Sequence, residues 1–239
     1  MGTRNGSAIR WTLAAVVLAA VAGAGPAHAG AGNLCALAKR EGFVPARDTC
    51  VSALSTDVTG DGRADLVLLY DRTQPGPGGS VRFGPYTLKV IPAGGGVLES
   101  RVPSALPPDV IVAARHVNDE PGVDLFIQVA RISSGSGVAI YSDHGGRLVR
   151  SRVTLTYGGD SGVRFGFACI GAPAPAIVQR SYELLGPGIG GRWREKIDTY
   201  RWSGPTLHLT SSRFTIHHGW PSAGLVGVGA GCGALPGAS

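Results

Sequence analysis

One nine-residue spacing occurs twice in this chain, each time between two strand-like apolar runs. The first run, Val51 to Ser55, is followed by Asp57-Val-Thr-Gly-Asp-Gly-Arg-Ala-Asp65 and then by Leu66 to Tyr70. The second, Val110 to Ala114, is followed by His116-Val-Asn-Asp-Glu-Pro-Gly-Val-Asp124 and then by Leu125 to Val129. A weaker third copy runs from Val163 through Phe167 and Gly171-Ala-Pro-Ala-Pro175 to Gln179, and the offsets between copies are 59 and 51 residues. Self-similarity at such a period is the mark of a repeat architecture, and this one lies close to the length of a four-stranded propeller blade.

Hairpin signals follow each loop. Tyr86 to Ile91 and Val97 to Val102 flank Gly94-Gly95-Gly96; Val138 to Tyr141 and Arg147 to Val153 flank Gly145-Gly146; Lys196 to Trp202 and Thr206 to Arg213 flank Ser203-Gly204-Pro205. Such turn residues between β-prone runs predict hairpins, so each unit reads as strand, polar loop, strand and hairpin. The expected fold is all-β and β-propeller-like, with about three degenerate four-stranded repeats over residues 50–109, 110–162 and 163–230. Four blades are the usual minimum for closure, so the ring is expected to be incomplete or closed by terminal strands. Residues 33–42 are the helical exception, with Asn33 as cap and Gly42 as stop.

The amino terminus reads as an export signal, not as part of the fold. Arg4 and Arg10 form a basic region, Trp11 to Gly25 is apolar, and Ala27-His28-Ala29 matches an A-x-A cleavage site. Residues 1–29 are thus expected to be removed, leaving residues 30–239 as a single secreted domain with no membrane contact. Losing Arg4 and Arg10 takes the formal charge from +6 to +4, and the remaining Arg are scattered, which argues against a nucleic-acid partner. Charged residues make up only 16 % of the chain, too few for a highly charged disordered protein. Cys35, Cys50, Cys169 and Cys232 favour two disulfides in an oxidising compartment, Cys35 with Cys50 and Cys169 with Cys232. Zinc is the poorer reading because no C-x2-C pair exists.

The first loop carries the clearest chemistry. Asp57, Thr59, Asp61 and Asp65 place side-chain oxygens at positions one, three, five and nine; Gly62 permits a sharp turn, and the Arg63 carbonyl is a further donor. An all-oxygen set of this kind suits Ca2+, and three carboxylates within nine residues repel one another until a cation intervenes. An EF-hand would need a Glu at position twelve, where Leu68 stands. A polar hairpin turn is the plainer alternative, because Asp-Gly is a preferred turn pair, but a turn does not require Asp57 and Asp65. In the second loop Asn118, Asp119 and Glu120 read as solvated, and Pro121 replaces the glycine.

Asp57, Thr59, Asp61, Gly62, Asp65 and Leu66 together resemble the D-x-[DN]-x-D-G-x-x-D-[LIV] signature of FG-GAP or VCBS repeats, the integrin-type propeller family. The close match covers about ten residues, with Thr59 in place of the usual Asp or Asn. That resemblance implies a calcium-stabilised, propeller-like module for binding and adhesion. One structural Ca2+ is expected in the first loop only, with an extracellular glycan, cell-wall polymer or protein as partner.

Signals for catalysis are weaker. Gly159-Asp160-Ser161-Gly162 resembles the nucleophile segment of trypsin-like proteases, and His116, Asp124 and Ser161 follow that family's order. Only eight residues separate His116 from Asp124 and 37 separate Asp124 from Ser161, too few for the two barrels of that family. A secreted hydrolase with Ser161 as nucleophile is the alternative to a binding module without catalytic activity. Tyr200 and Trp202, with Trp193 nearby, would form a sugar-stacking shelf if exposed and core if buried.

Overall fold

A computed structural model describes residues 31–71, 74–75, 81–82, 85–103, 111–132, 135–159, 162–170, 176–186 and 191–219. The expected signal segment, residues 1–29, lies outside them, as do Ser161, Cys232 and the third loop from Gly171 to Pro175. Helix α1 (Ala31–Arg40) is followed by β1 (Thr49–Thr56), β2 (Asp65–Asp71), the short β3 (Gln74–Pro75) and β4 (Val81–Arg82), β5 (Tyr86–Ile91) and β6 (Leu98–Val102). After these come β7 (Ile111–Arg115), β8 (Asp124–Ile132), β9 (Gly135–Asp143), β10 (Leu148–Gly159), β11 (Val163–Ile170), β12 (Ala176–Leu184), β13 (Arg192–Ser203) and β14 (Thr206–His218). The fold is therefore all-β with one short helix, as the alternating apolar runs imply.

Two main antiparallel sheets result. One is four-stranded in the order β1-β2-β5-β6, the other eight-stranded with β7 to β14 in sequence order, and β3 and β4 form a separate ribbon. The expected strands and hairpins are all present, but the second and third units are fused into one sheet, which the repeat pattern did not foresee. The fusion is narrow: β10 meets β11 only through Gly158↔Phe165 and Gly159↔Arg164. Its physical basis is a strand long enough to outrun its partner β9 and ending in two glycines with φ of 104° and 145°. A Cβ on Gly159 would lie 2.3 Å from the Val163 carbonyl oxygen, so only glycine lets β11 approach this closely.

Alternation along the strands explains how the sheets are buried. Every residue of β2 is buried: Val67 and Leu69 belong to one apolar cluster, Leu66, Leu68 and Tyr70 to another. Successive side chains point to opposite faces, so an unbroken apolar run means cover on both sides. On β8 and β9 the same rule sends Leu125, Ile127, Ala139 and Tyr141 towards the first sheet, and Phe126, Val138 and Ile140 towards Phe167, Ile177 and Leu207 of the last four strands. The section β7–β10 is thus packed on both faces.

Helix α1 covers the remaining face of the first sheet. Leu34, Ala38 and Val44 pack on Ala53, Leu66, Leu68, Tyr70 and Ile91. The expected stop is observed: Gly42 adopts φ 75°, Gly42 N–H donates to the Lys39 carbonyl and Phe43 N–H to the Ala38 carbonyl, a Schellman ending. The helix begins at Ala31, so Asn33 lies inside it and is not its cap. Cys35 and Cys50 form the expected disulfide across 15 residues, with a Cα–Cα distance of 5.6 Å. Closing such a loop is worth roughly 3 kcal/mol in the chain-entropy model. Cys169 is also disulfide-bonded; its expected partner Cys232 lies outside the described residues. Among the described residues no helix is long and apolar enough to cross a membrane.

Candidate functional site

The first loop leaves β1 and returns on β2, and its carboxylates are engaged by the loop's own backbone. Asp57 accepts from Gly60 N–H at 2.7 Å on Oδ1 and from Gly62 N–H at 2.9 Å on Oδ2. Asp61 Oδ1 accepts from Arg63 N–H at 2.9 Å. The Asp61 bond closes an Asx turn, the two Asp57 bonds span three and five residues, and Gly60 and Gly62 supply the positive φ, 74° and 80°, that the tight path needs. Arg63 crosses to the next hairpin, its Nη2 donating to the Ala93 carbonyl at 2.9 Å.

Asp65 does different work. Fully buried, it accepts on Oδ2 from Val58 N–H at 2.9 Å, Thr59 N–H at 3.0 Å and Thr59 Oγ1 at 3.1 Å, and on Oδ1 from Ala93 N–H at 3.0 Å. One carboxylate therefore closes the loop from within and ties it to the end of β5. Four donors compensate the loss of water around the charge.

The second loop repeats this closure with other residues. Asp124 Oδ2 accepts from Val117 N–H at 2.8 Å, the counterpart of the Val58 bond. Its Oδ1 accepts from Asn118 Nδ2 at 2.6 Å and from Ser142 Oγ at 2.5 Å, so here a side chain at the end of β9 takes the place of Ala93 N–H. Burial pushes the Asp124 carboxyl up to about 6, outweighing the opposing pull of the Ser142 and Val117 bonds. Asn118, expected to be solvated with Asp119 and Glu120, is instead buried, because its amide is needed to satisfy the buried Asp124 carboxylate; Ser142, 18 residues from Asp124, was not singled out by sequence.

The two loops also interlock. Val123 N–H donates to the Asp57 carbonyl at 2.9 Å. A Cβ on Gly60 would come within 2.3 Å of Pro121 Cβ, and one on Gly122 within 2.1 Å of the Val58 carbonyl oxygen. Pro121, which breaks the loop signature, is thus a packing residue against the first copy. His116 Nδ1 lies 2.7 Å from the Gly122 carbonyl, which can only accept, so Nδ1 carries the proton. His116 therefore braces its own loop, and Asp124 bonds elsewhere.

The expected Ca2+ donors of the first loop, Asp57, Thr59, Asp61, the Arg63 carbonyl and Asp65, are all oxygens, the donor type a hard cation takes. Both Asp65 oxygens already accept from the chain's own donors and Thr59 Oγ1 donates to Asp65, whereas Asp57 and Asp61 retain acceptor capacity beyond the backbone bonds described. Among the described residues no three His, Cys, Asp or Glu side chains come together as a metal-binding group.

A second polar network, missed by sequence, lies on the last four strands. Glu195 accepts from Tyr182 OH at 2.8 Å, approaches Arg180 Nη1 at 3.2 Å and lies 2.8 Å from His217 Nε2. Burial alone would raise the Glu195 carboxyl, but the His217 and Tyr182 hydrogen bonds and the Arg180 charge hold it below the ordinary range. Alternation could have placed Tyr182 and Glu195 on one face only once their register was known. Tyr200 and Trp202 pack half-buried against the cluster around Phe167, whereas Trp193 is fully buried and of opposite strand parity. The three rings form no common shelf.

Compared with known protein families, curated proteins and solved structures, the chain matches none.

Proposed function

We propose that the chain is a secreted, calcium-stabilised binding module of FG-GAP/VCBS type, with residues 30–239 as one domain and without catalytic activity. Its ligand class is an extracellular glycan, cell-wall polymer or protein. The observation that supports this reading best is the recurrence of one loop closure: Asp65 and Asp124 each reach back seven residues to a backbone N–H, and the two loops lock together at Gly60 and Gly122. Strands β1-β2-β5-β6 form one sheet, and the eight-stranded sheet is joined between β10 and β11 at only two residue pairs, a narrow seam that supports reading it as two groups of four. Such a scaffold spends its buried polar groups on holding loops in place, the economy of a binding surface more than of a reaction centre.

In this proposal Ca2+ is held by Asp57, Thr59, Asp61, the Arg63 carbonyl and Asp65, and it offsets the repulsion among the three carboxylates. Thermal unfolding of the mature protein with about 10 mM calcium and with EGTA tests it. For an affinity in the roughly 0.1–1 mM range of extracellular sites, calcium is expected to add about 1–3 kcal/mol, a rise of several degrees in Tm. Asp61→Ala is expected to abolish the difference. Equal midpoints in calcium and EGTA would end the metal assignment. Export is tested separately: N-terminal sequencing of the secreted product is expected to start at Gly30, and a retained Arg4 or Arg10 refutes cleavage.

A further inference from the structure

Among the described residues, the last strand of the eight-stranded sheet has a partner on one side only. β14 pairs with β13 on one side and ends the sheet, and residues 208 to 216 are all exposed, on both faces. Pairing with β13 separates those faces. Leu207, Leu209, Ser212, Phe214 and Ile216 lie opposite Trp202, Tyr200, Asp198, Lys196 and Arg194, while His208, Ser211 and Arg213 lie opposite Arg201, Thr199 and Ile197, with Thr210 taking up the register shift. The first face is apolar, with Leu209 at 52 %, Phe214 at 61 % and Ile216 at 41 % exposure. The second presents Arg213 and Arg201, with Glu195 lying opposite Thr215 on the same side and already paired with Arg180.

Charge is concentrated in this part of the molecule. The described residues 162–219 carry seven Lys and Arg against three acids, a net +4, whereas residues 31–103 as described balance at seven against seven. All three of those acids are already paired: Glu183 with Arg194, Glu195 with Arg180, Asp198 with Lys196. Among the described residues no ion pair involves Arg201 or Arg213.

An open edge is usually blunted by Lys, Pro or a short strand. β14 is 13 residues long and has no Lys, Pro or acid. Three large exposed apolar side chains on one side are the opposite of protection.

We propose that β14 is a strand-addition site for an extended acidic segment of a partner protein, one that alternates acidic and apolar side chains. The free backbone edge supplies the hydrogen bonds, Arg213 and Arg201 face the acids, and Leu209, Phe214 and Ile216 face the apolar residues. A sugar polymer would leave the apolar face and the backbone edge unused. A second copy of β14 would bring His and Arg to a strand with no acid of its own. This inference rests on the binding-module reading and deepens it by naming the partner chemistry and the surface.

The test uses the mature protein and a labelled nonapeptide alternating glutamate and valine, read by fluorescence anisotropy. Two controls share its composition: one with glutamates and valines in separate blocks, and one N-methylated at every residue. The alternating peptide is expected to bind at least about ten-fold tighter than either control and to weaken with salt. Arg213→Glu and Phe214→Ser are each expected to weaken it at least about five-fold with Tm unchanged, since both side chains are exposed; Leu209→Ser is the second apolar variant should Phe214→Ser perturb the fold. Equal binding of the block peptide or the N-methylated peptide, or indifference to these substitutions, overturns the proposal. So does sedimentation as a dimer that Phe214→Ser dissociates, which would assign the edge to a second copy. Calcium-dependent melting is read independently, so loss of either result leaves the other to be judged by itself.

Discussion

Two aspartates at corresponding positions show how much one side chain can settle. Asp65 and Asp124 both close a nine-residue loop from within, yet one is surrounded mainly by backbone donors and the other by Ser142 and Asn118. The Asp124 carboxyl sits at about 6 against an ordinary 3.8, so between those values the folded chain binds a proton that the unfolded chain has released. The associated stabilisation is complete below the unfolded value and lost as pH rises through the folded one, to an extent of about 3 kcal/mol. Urea unfolding from pH 4 to 7.5 is expected to show this decline, and Asp124→Asn to flatten it. Parallel pH profiles for the two proteins would contradict the assignment. Glu195 has the opposite sign: held below its ordinary range, it contributes above the unfolded value and loses that contribution as pH falls through the folded one.

At the scale of elements, the interlocked loops are the tightest joint described. Gly122 combines φ 89° with a Cβ position 2.1 Å from the Val58 carbonyl oxygen, so a methyl group meets backbone that has nowhere to go. Gly122→Ala is expected to cost about 2–4 kcal/mol in denaturant unfolding. Gly145→Ala is the control, because Gly145 has φ 61° but open space around its Cβ position, and only the backbone penalty of about 1–2 kcal/mol applies. If the two substitutions cost the same, the loops do not bear on one another as described. Pro121 belongs to the same joint, which explains its presence where the first loop has glycine.

For the whole molecule, the section β7–β10 is the hinge of stability because it shares one core with each neighbour. Phe126 and Phe167 stack across the second of these cores, with ring centroids 6.1 Å apart and planes within 7°. Phe126→Ala removes a fully buried ring and is expected to cost about 3–5 kcal/mol. Because β10 and β11 share only two residue pairs, the loss should appear first in the last four strands. Hydrogen exchange is expected to accelerate across β11–β14 while β2 and β5 keep their protection. Uniform acceleration through the chain would show that the sheets open as one unit.

Much of this was legible in the residues. The repeated spacing marked both loops, glycine turns marked the hairpins, and a separation of 15 residues picked out the Cys35–Cys50 bridge, because each depends on neighbours in sequence. Tertiary structure alone decided that Ser142 would meet Asp124, that Arg180, Tyr182 and His217 would converge on Glu195, and that Gly158 and Gly159 would join two units into one sheet. Local geometry is dictated by covalent neighbours and backbone preference, whereas these contacts hang on strand register and length, quantities set only when distant faces compete for the same core.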